Sequence, residues 1–226
     1  MPASREDLYV DGVPVARVTC CNSIVGTPHQ FDCPNYLGIK PISDEEVWAS
    51  KLLQSTTGLD ITSEHGRETP KRFVAMLKDL TTPNPKDFDF TVFDNTEQID
   101  EMVIMTNIPY ASLCNHHVVP YFGFAHVAYI PQDKIVGISK LGRIVRYHSR
   151  GLSVQEHLTA AIADSIEEKL KPRGVAVMLT GEHMCMALRG AQMPGTKTTT
   201  TSVTGVFADH ARTAKQEFLS AVDRAR

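Results

Sequence analysis

Tyr121-Phe122-Gly123-Phe124-Ala125-His126-Val127-Ala128-Tyr129-Ile130 decides the fold class. The run is rich in aromatic and aliphatic residues and reads as a β-strand. Pro131-Gln132-Asp133-Lys134 follows as a turn, which should fold Ile135–Ile138 back as the second arm of a hairpin. Upstream, Glu101–Met105 has the same strand-like composition. Downstream, a helix is expected from Ser139. Ser153 and Glu156 then stand at the S-x-x-E spacing of a capping box, with Leu158, Ile162, Ile166 and Leu170 behind them at steps of four until Pro172 and Gly174. Two more strands, Val175–Thr180 and Glu182–Arg189, precede the threonine-rich Thr196–Phe207, whose β-branched side chains suit an extended chain. Asp209 is the expected cap of a last helix that buries Phe218, Ala221 and Val222.

Toward the N-terminus the pattern is helical. Ser43 and Glu46 form a second capping-box spacing ahead of Val47, Trp48, Leu52 and Leu53. Thr69-Pro70 places a cap before a proline at the first helical position. Phe73, Met76, Leu77 and Leu80 then fall on one expected buried face, and Pro83 and Pro85 end the helix. Helices come first and an antiparallel sheet carrying two helices follows, an α+β arrangement. Before Ser43 the turn formers Gly12, Pro14, Gly26, Pro28, Pro34 and Gly38 break any long period. Residues 1–42 therefore read as an irregular or short-stranded extension and 43–226 as one domain.

The 226 residues carry 23 Lys+Arg against 26 Asp+Glu, a net charge of −3, and 42% are hydrophobic, which excludes a wholly disordered chain. A slightly acidic protein has no general attraction for nucleic acid or anionic membranes, so any anion must be held by a local basic cluster. No apolar run is long enough to span a bilayer and no secretory signal is evident. Five scattered cysteines argue against a disulfide framework. A cytoplasmic location with reduced thiols is expected. Cys20, Cys21 and Cys33, with His29 nearby, could be donors, but adjacent cysteines do not easily share one tetrahedral site.

The chemistry concentrates in Ser112-Leu113-Cys114-Asn115-His116-His117. Cys114 and His117 are three apart, so one turn can aim a thiolate and an imidazole at a single ion. A third ligand must come from elsewhere. Strand alternation over Glu182–Arg189 puts His183, Cys185, Ala187 and Arg189 on one face and Met184, Met186 and Leu188 on a core face. Cys114, His117 and Cys185 would make a zinc site with one open position, the ligand count of a catalytic centre. His116 and His183 remain as unligated imidazoles suited to proton transfer. Ser139-Lys140-x-x-Arg143-x-x-Arg146 would open a helix with cations turned toward an anion, or form a solvated face. Glu156 either closes its capping box or accepts two N–H groups from a purine edge.

These blocks resemble the GTP cyclohydrolase I family. Ser112–Pro120, His126–Pro131, Gly137–Arg143, Gln155–Thr159, Gly174–Val177, His183–Gly190 and Thr198–Phe207 match its motifs in order, as does the T-P-K-R helix Thr69–Leu80. The resemblance spans roughly residues 43–224. It implies hydrolytic opening of GTP to formate and 7,8-dihydroneopterin triphosphate, with Zn2+ on Cys114, His117 and Cys185. Water activated at the zinc attacks C8 of the guanine, and His183 and His116 move protons. It further implies that Glu156 and Gln155 hold the guanine, and that Ser139, Lys140, Arg143, Arg189 and Arg72 hold the triphosphate. The implied fold is the tunnelling fold, an antiparallel sheet with helices on one side and a barrel closed by oligomerisation, in a homodecamer with sites between subunits. The product would enter a pterin, folate or deazaguanine pathway.

Two departures stand out. The family usually has Glu at the position of Asn115, and more polar residues at Gly151-Leu152. The rivals to this reading are another tunnelling-fold enzyme, such as a pterin synthase or nitrile reductase, and a zinc-stabilised regulatory protein that has lost turnover.

Overall fold

A computed structural model describes residues 43–209 and 213–225 in full, and the backbone of 7–10, 13–18 and 23–24. Cys20, Cys21, Cys33 and His29 lie outside the described residues. The chain forms two compact units, residues 1–79 and 80–226.

In the first unit, β1 (Asp7–Val10), β2 (Val13–Val18) and β3 (Ser23–Ile24) make a three-stranded antiparallel sheet in chain order. Helix α1 (Asp44–Thr57) begins as its capping box predicts, with the Glu46 N–H donating to Ser43 Oγ at 3.3 Å. Asp44, Glu45 and Glu46 occupy its positive end, and Gly58 closes it in the left-handed region at φ 71°. Helix α2 (Thr69–Thr81) stops ahead of Pro83. A hydrogen bond from Ser43 and the Lys78 ammonium, 3.0 Å from Oε1, lower the Glu45 carboxyl to about 2. The expected buried face does not close. Trp48, Leu52 and Met76 are exposed, and Phe73, Leu77 and Leu80 are only half-buried. The Glu45–Lys78 ion pair between the helices is itself exposed and covers no apolar stripe on either.

In the second unit a 3-10 turn, Pro85–Phe88, leads to β4 (Val92–Asp94), β5 (Val103–Cys114), β6 (Pro120–Ile130) and β7 (Lys134–Val136). Then come α3 (Ile138–Ser149), β8 (Leu152–Ser153), α4 (Gln155–Leu170), β9 (Gly174–His183), the one-turn α5 (Met184–Ala187), β10 (Lys197–Val203) and α6 (Ala214–Arg224). Five strands form one sheet in the order β10-β9-β6-β5-β8, antiparallel except for the short parallel pair β5–β8. The expected hairpin from Tyr121–Ile130 into Ile135–Ile138 is absent. Both edges of β6 are taken by β5 and β9, so β7 leaves the sheet and pairs with β4 instead.

Alternation along the strands separates two cores. Tyr121, Ala125, Val127 and Tyr129 of β6 and Val175, Val177 and Leu179 of β9 face α3 and α4, whose Leu141, Ile144, Ile162 and Ile166 have no exposed surface. Each fully buried side chain of this kind stabilises by about 1.5–3 kcal/mol. The intervening Ala128, Ala176 and Met178 pack under Phe207, Phe218 and Val222. Helices therefore lie on both faces of the sheet, not on one as expected, because α6 covers one end of the second face. At the other end Phe122 and Phe124 remain about half exposed. The expected cap Asp209 does not start α6. Thr213 precedes the helix, its hydroxyl donating to Glu217 Oε1.

Candidate active site

Strand β5 ends at Cys114 in a tight turn. The N–H groups of His117 and Val118 both donate to the Cys114 carbonyl, at 3.3 and 2.8 Å, and the Cys114 N–H donates to Val119 O. Val118 sits at φ 55°, a region that β-branched residues seldom enter, so the turn is held by its closure. It presents His116 and His117, both exposed, beside the buried Cys114. Their Nδ1 atoms lie 3.9 and 4.0 Å from Cys114 Sγ.

The third residue arrives by a different route than expected. Glu182–Arg189 is not a strand. The β6 ladder ends at Tyr121–His183 and the β10 ladder at Lys197–Glu182, so the chain has no partner beyond His183 and coils into α5. Ala187 and Arg189 do not share a strand face with His183. Met184, Met186 and Leu188 form no core, and Leu188 is 73% exposed. One helical turn nevertheless delivers Cys185, and the ligand atoms of Cys114, His117 and Cys185 all lie within 4.8 Å of one another. Burial and the neighbouring Cys114 sulfur push the Cys185 thiol up. Two thiolates this close repel, and a soft divalent cation relieves that repulsion; the donor set fits zinc.

His183 is the most tightly held of the remaining site groups. Its Nε2 meets Gln155 Oε1 at 2.8 Å, and its ring lies on Tyr121 with centroids 4.5 Å apart and planes within 1°. Burial lowers its imidazole below the ordinary value. Gln155, only 1% exposed, has its amide N–H groups directed at Leu179 O, Thr198 O and Thr200 Oγ1. Carbonyls can only accept, so Oε1 must face His183, and His183 Nε2 must carry the proton. Nδ1 has no hydrogen-bond partner among the described residues. The Gln155 side chain is thereby placed behind the imidazole, with both ends of its amide hydrogen-bonded. Gly181 permits this: a Cβ there would stand 2.4 Å from Tyr110 Oη and 3.1 Å from Gln155 Oε1.

Ser153 is not the cap of α4. Val154 holds that position without a side-chain bond, while Ser153 Oγ joins Ser112 Oγ at 2.9 Å and the Tyr121 hydroxyl. Glu156, in the first turn of α4, is exposed and closes no capping box. Ser139, Lys140 and Arg143 occupy the first turns of α3. Lys140 Nζ is 3.9 Å from Asp89, and Arg143 is exposed. Arg146 grips Asp87 through two hydrogen bonds, Nε to Oδ2 at 2.7 Å and Nη2 to Oδ1. Arg189 is exposed just beyond α5, and Arg72 is exposed on α2 of the first unit. Sequence reasoning missed Tyr121, Ser153 and Gly181, which look like ordinary residues of strands and loops.

Sheet and cluster together define a class: an α+β protein with a candidate metal centre. The profile of the family GTP cyclohydrolase I matches residues 46–223. The chain is 43% identical over 172 residues to GTP cyclohydrolase 1 of Hydrogenobaculum sp., covering 76% of this chain and 93% of that one. It is 45% identical over 179 residues to GTP cyclohydrolase 1 of Geobacillus kaustophilus, covering 77% and 94%, and 44% identical over 191 residues to that of a Synechococcus strain, covering 82% of each. A crystal structure of the archaeosine synthase QueF-Like in the apo form is similar over 46% of this chain and 93% of that one, at 17% identity and a TM-score of 0.39, too slight a likeness to carry an argument. The chain belongs to the GTP cyclohydrolase I family and is an enzyme of that family. Among the described residues no helix is long and apolar enough to cross a membrane.

Proposed function

We propose that the protein hydrolyses GTP to formate and 7,8-dihydroneopterin triphosphate at a zinc ion held by Cys114, His117 and Cys185. The observation that carries this reading is the meeting of those three ligand atoms within 4.8 Å, next to an oriented His183, in a chain of this family. Zinc bound there supplies Lewis acidity and lowers the pKa of water to about 7, so a nucleophile is available at neutral pH. The protein's own groups do the rest. Glu156 accepts the paired N–H donors of the guanine edge, and Ser139, Lys140, Arg143, Arg189 and Arg72 neutralise the triphosphate. His183 takes and returns a proton at Nδ1, the nitrogen left free by Gln155. His116, on the exposed turn, serves as the second proton carrier.

Residues 43–226 act as the catalytic domain and 1–42 as an appended segment. The subunits assemble as a ring, a decamer by the family resemblance, with tunnelling-fold sheets closing a barrel. Support for assembly is the outer edge of β10, which has no partner among the described residues, and the half-exposed Phe122 and Phe124. A cytoplasmic location suits thiolate ligands, and the product would serve pterin, folate or deazaguanine synthesis. Incubating the purified protein with GTP tests the proposal. Formate and a pterin that fluoresces after oxidation are expected, whereas GTP left intact in the presence of zinc would refute it.

A further inference from the structure

We infer that Tyr121 is the positioning residue that fixes the plane of the His183 imidazole, acting from the end of a hydroxyl relay tied to the strand that carries Cys114. This rests on the reading of His183 as a proton-transfer group. Tyr121 and His183 are direct cross-strand partners in β6 and β9, and their rings stack face to face at 4.5 Å. Tyr121 has no exposed surface, whereas His183 keeps part of its own open. The hydrogen bond from Nε2 to Gln155 fixes one point of the imidazole but leaves the ring free to pivot about it. A flat aromatic wall removes that rotation.

The wall is itself anchored. The Gly151 carbonyl can only accept, so Ser112 Oγ donates to it at 3.3 Å. Ser112 Oγ then accepts from Ser153, and Ser153 Oγ accepts from the Tyr121 hydroxyl. The relay has one direction and ends with Tyr121 as donor. Ser112 lies two residues before Cys114 in β5, and Ser153 is the register partner of Cys114 in the β5–β8 pair. The Asn115 N–H also donates to Ser153 O at 3.1 Å. Ligand turn, tyrosine ring and imidazole are thus referenced to one another through a few short bonds. A tolerance this narrow matters because a misplacement of about 1 Å can cost about 100-fold in rate.

An ordinary core tyrosine would make a different set of measurements move. The test compares the zinc-loaded enzyme with Tyr121→Phe, which keeps the ring, and Tyr121→Met, which fills the space without one. Tyr121→Met should lose at least tenfold in kcat, with KM for GTP within threefold and zinc still at one per chain. Tyr121→Phe keeps the ring but loses its bond to Ser153, so its kcat should fall between those of the unaltered enzyme and Tyr121→Met. Crystal structures should show the stacked pair in the unaltered enzyme and in Tyr121→Phe, and a rotated or split His183 ring in Tyr121→Met. The inference is overturned if Tyr121→Met keeps its kcat, if Tyr121→Phe falls as far as Tyr121→Met, or if the unaltered enzyme lacks the stack. Should Tyr121→Met fail to fold, two results still decide: a Tyr121→Phe kcat equal to that of the unaltered enzyme, or an unaltered enzyme without the stack, overturns the inference. Should the unaltered enzyme fail to open GTP, the activity reading falls alone and the crystal structures still test the stack.

Discussion

Gly181 shows how much of the site depends on atoms that carry no chemistry. A methyl group at this position would press on the Tyr110 hydroxyl and on Gln155 Oε1, the atom that orients His183. Gly181→Ala should cost about 1–3 kcal/mol through overpacking. It should also lower kcat more than it raises KM, since it disturbs the proton carrier and not the triphosphate contacts; an unchanged kcat in a destabilised protein would detach Gln155 from catalysis. Glu156 belongs to the other class, a group expected to touch substrate. Losing a hydrogen bond to a charged partner costs about 1.5–3 kcal/mol, so Glu156→Ala should weaken GTP binding tenfold or more and erase the preference for GTP over ATP. Retained preference would remove it from guanine recognition. Cys114 and His117 were legible as a pair because metal-ligand types at short spacing have few other uses together, whereas Cys185 was singled out on a strand alternation that does not form and is brought to them by one helical turn. Tyr121, Ser153 and Gly181 were not legible, because their roles arise only when three strands and a helix meet.

At the scale of elements, α3 is fastened to the 3-10 turn Pro85–Phe88 by the Arg146–Asp87 pair. The pair is asymmetric: Asp87 is buried at 6% exposure while the Arg146 side chain is 57% exposed. Removing the cation strands a buried carboxylate, whereas removing the carboxylate returns the guanidinium to water. Arg146→Met should therefore cost about 2–4 kcal/mol, less than for a fully buried pair, and Asp87→Asn only about 1–2 kcal/mol. Equal losses in urea unfolding would contradict that account. The hydrogen bonds from Arg146 hold the Asp87 carboxyl below its ordinary value. Its contribution is thus complete above about pH 4 and is lost as pH falls through the lowered native value. Between pH 7 and pH 3 the unaltered protein should lose more stability than Asp87→Asn; identical losses would mean that the pair does not report on pH. A capping box located α1, and helical periods located α2 and α4, although the capping box expected of α4 does not form. The hairpin and the Glu182–Arg189 strand were misread for one reason. Composition marks what can extend, but neighbouring strands decide what does, and β6 had no free edge while β9 had run out of partners.

For the whole molecule, the α+β class was legible from the order of periodic segments, but the strand order of the sheet was not. The outer edge of β10, the half-exposed Phe122 and Phe124, and the exposed Leu188 and Met193 leave an edge and apolar surface that a second copy could cover. Light scattering of the purified protein should give a particle many times the 25.0 kDa of one chain; an active monomer would refute both the ring and any site shared between subunits. The central claim is the metal centre itself, and an anomalous difference map at the zinc edge tests it most directly. The map should show one peak per chain, within bonding distance of both cysteine sulfurs and a ring nitrogen of His117, that is lost in Cys185→Ser. A fully occupied zinc peak elsewhere, or one that survives Cys185→Ser unchanged, would contradict it.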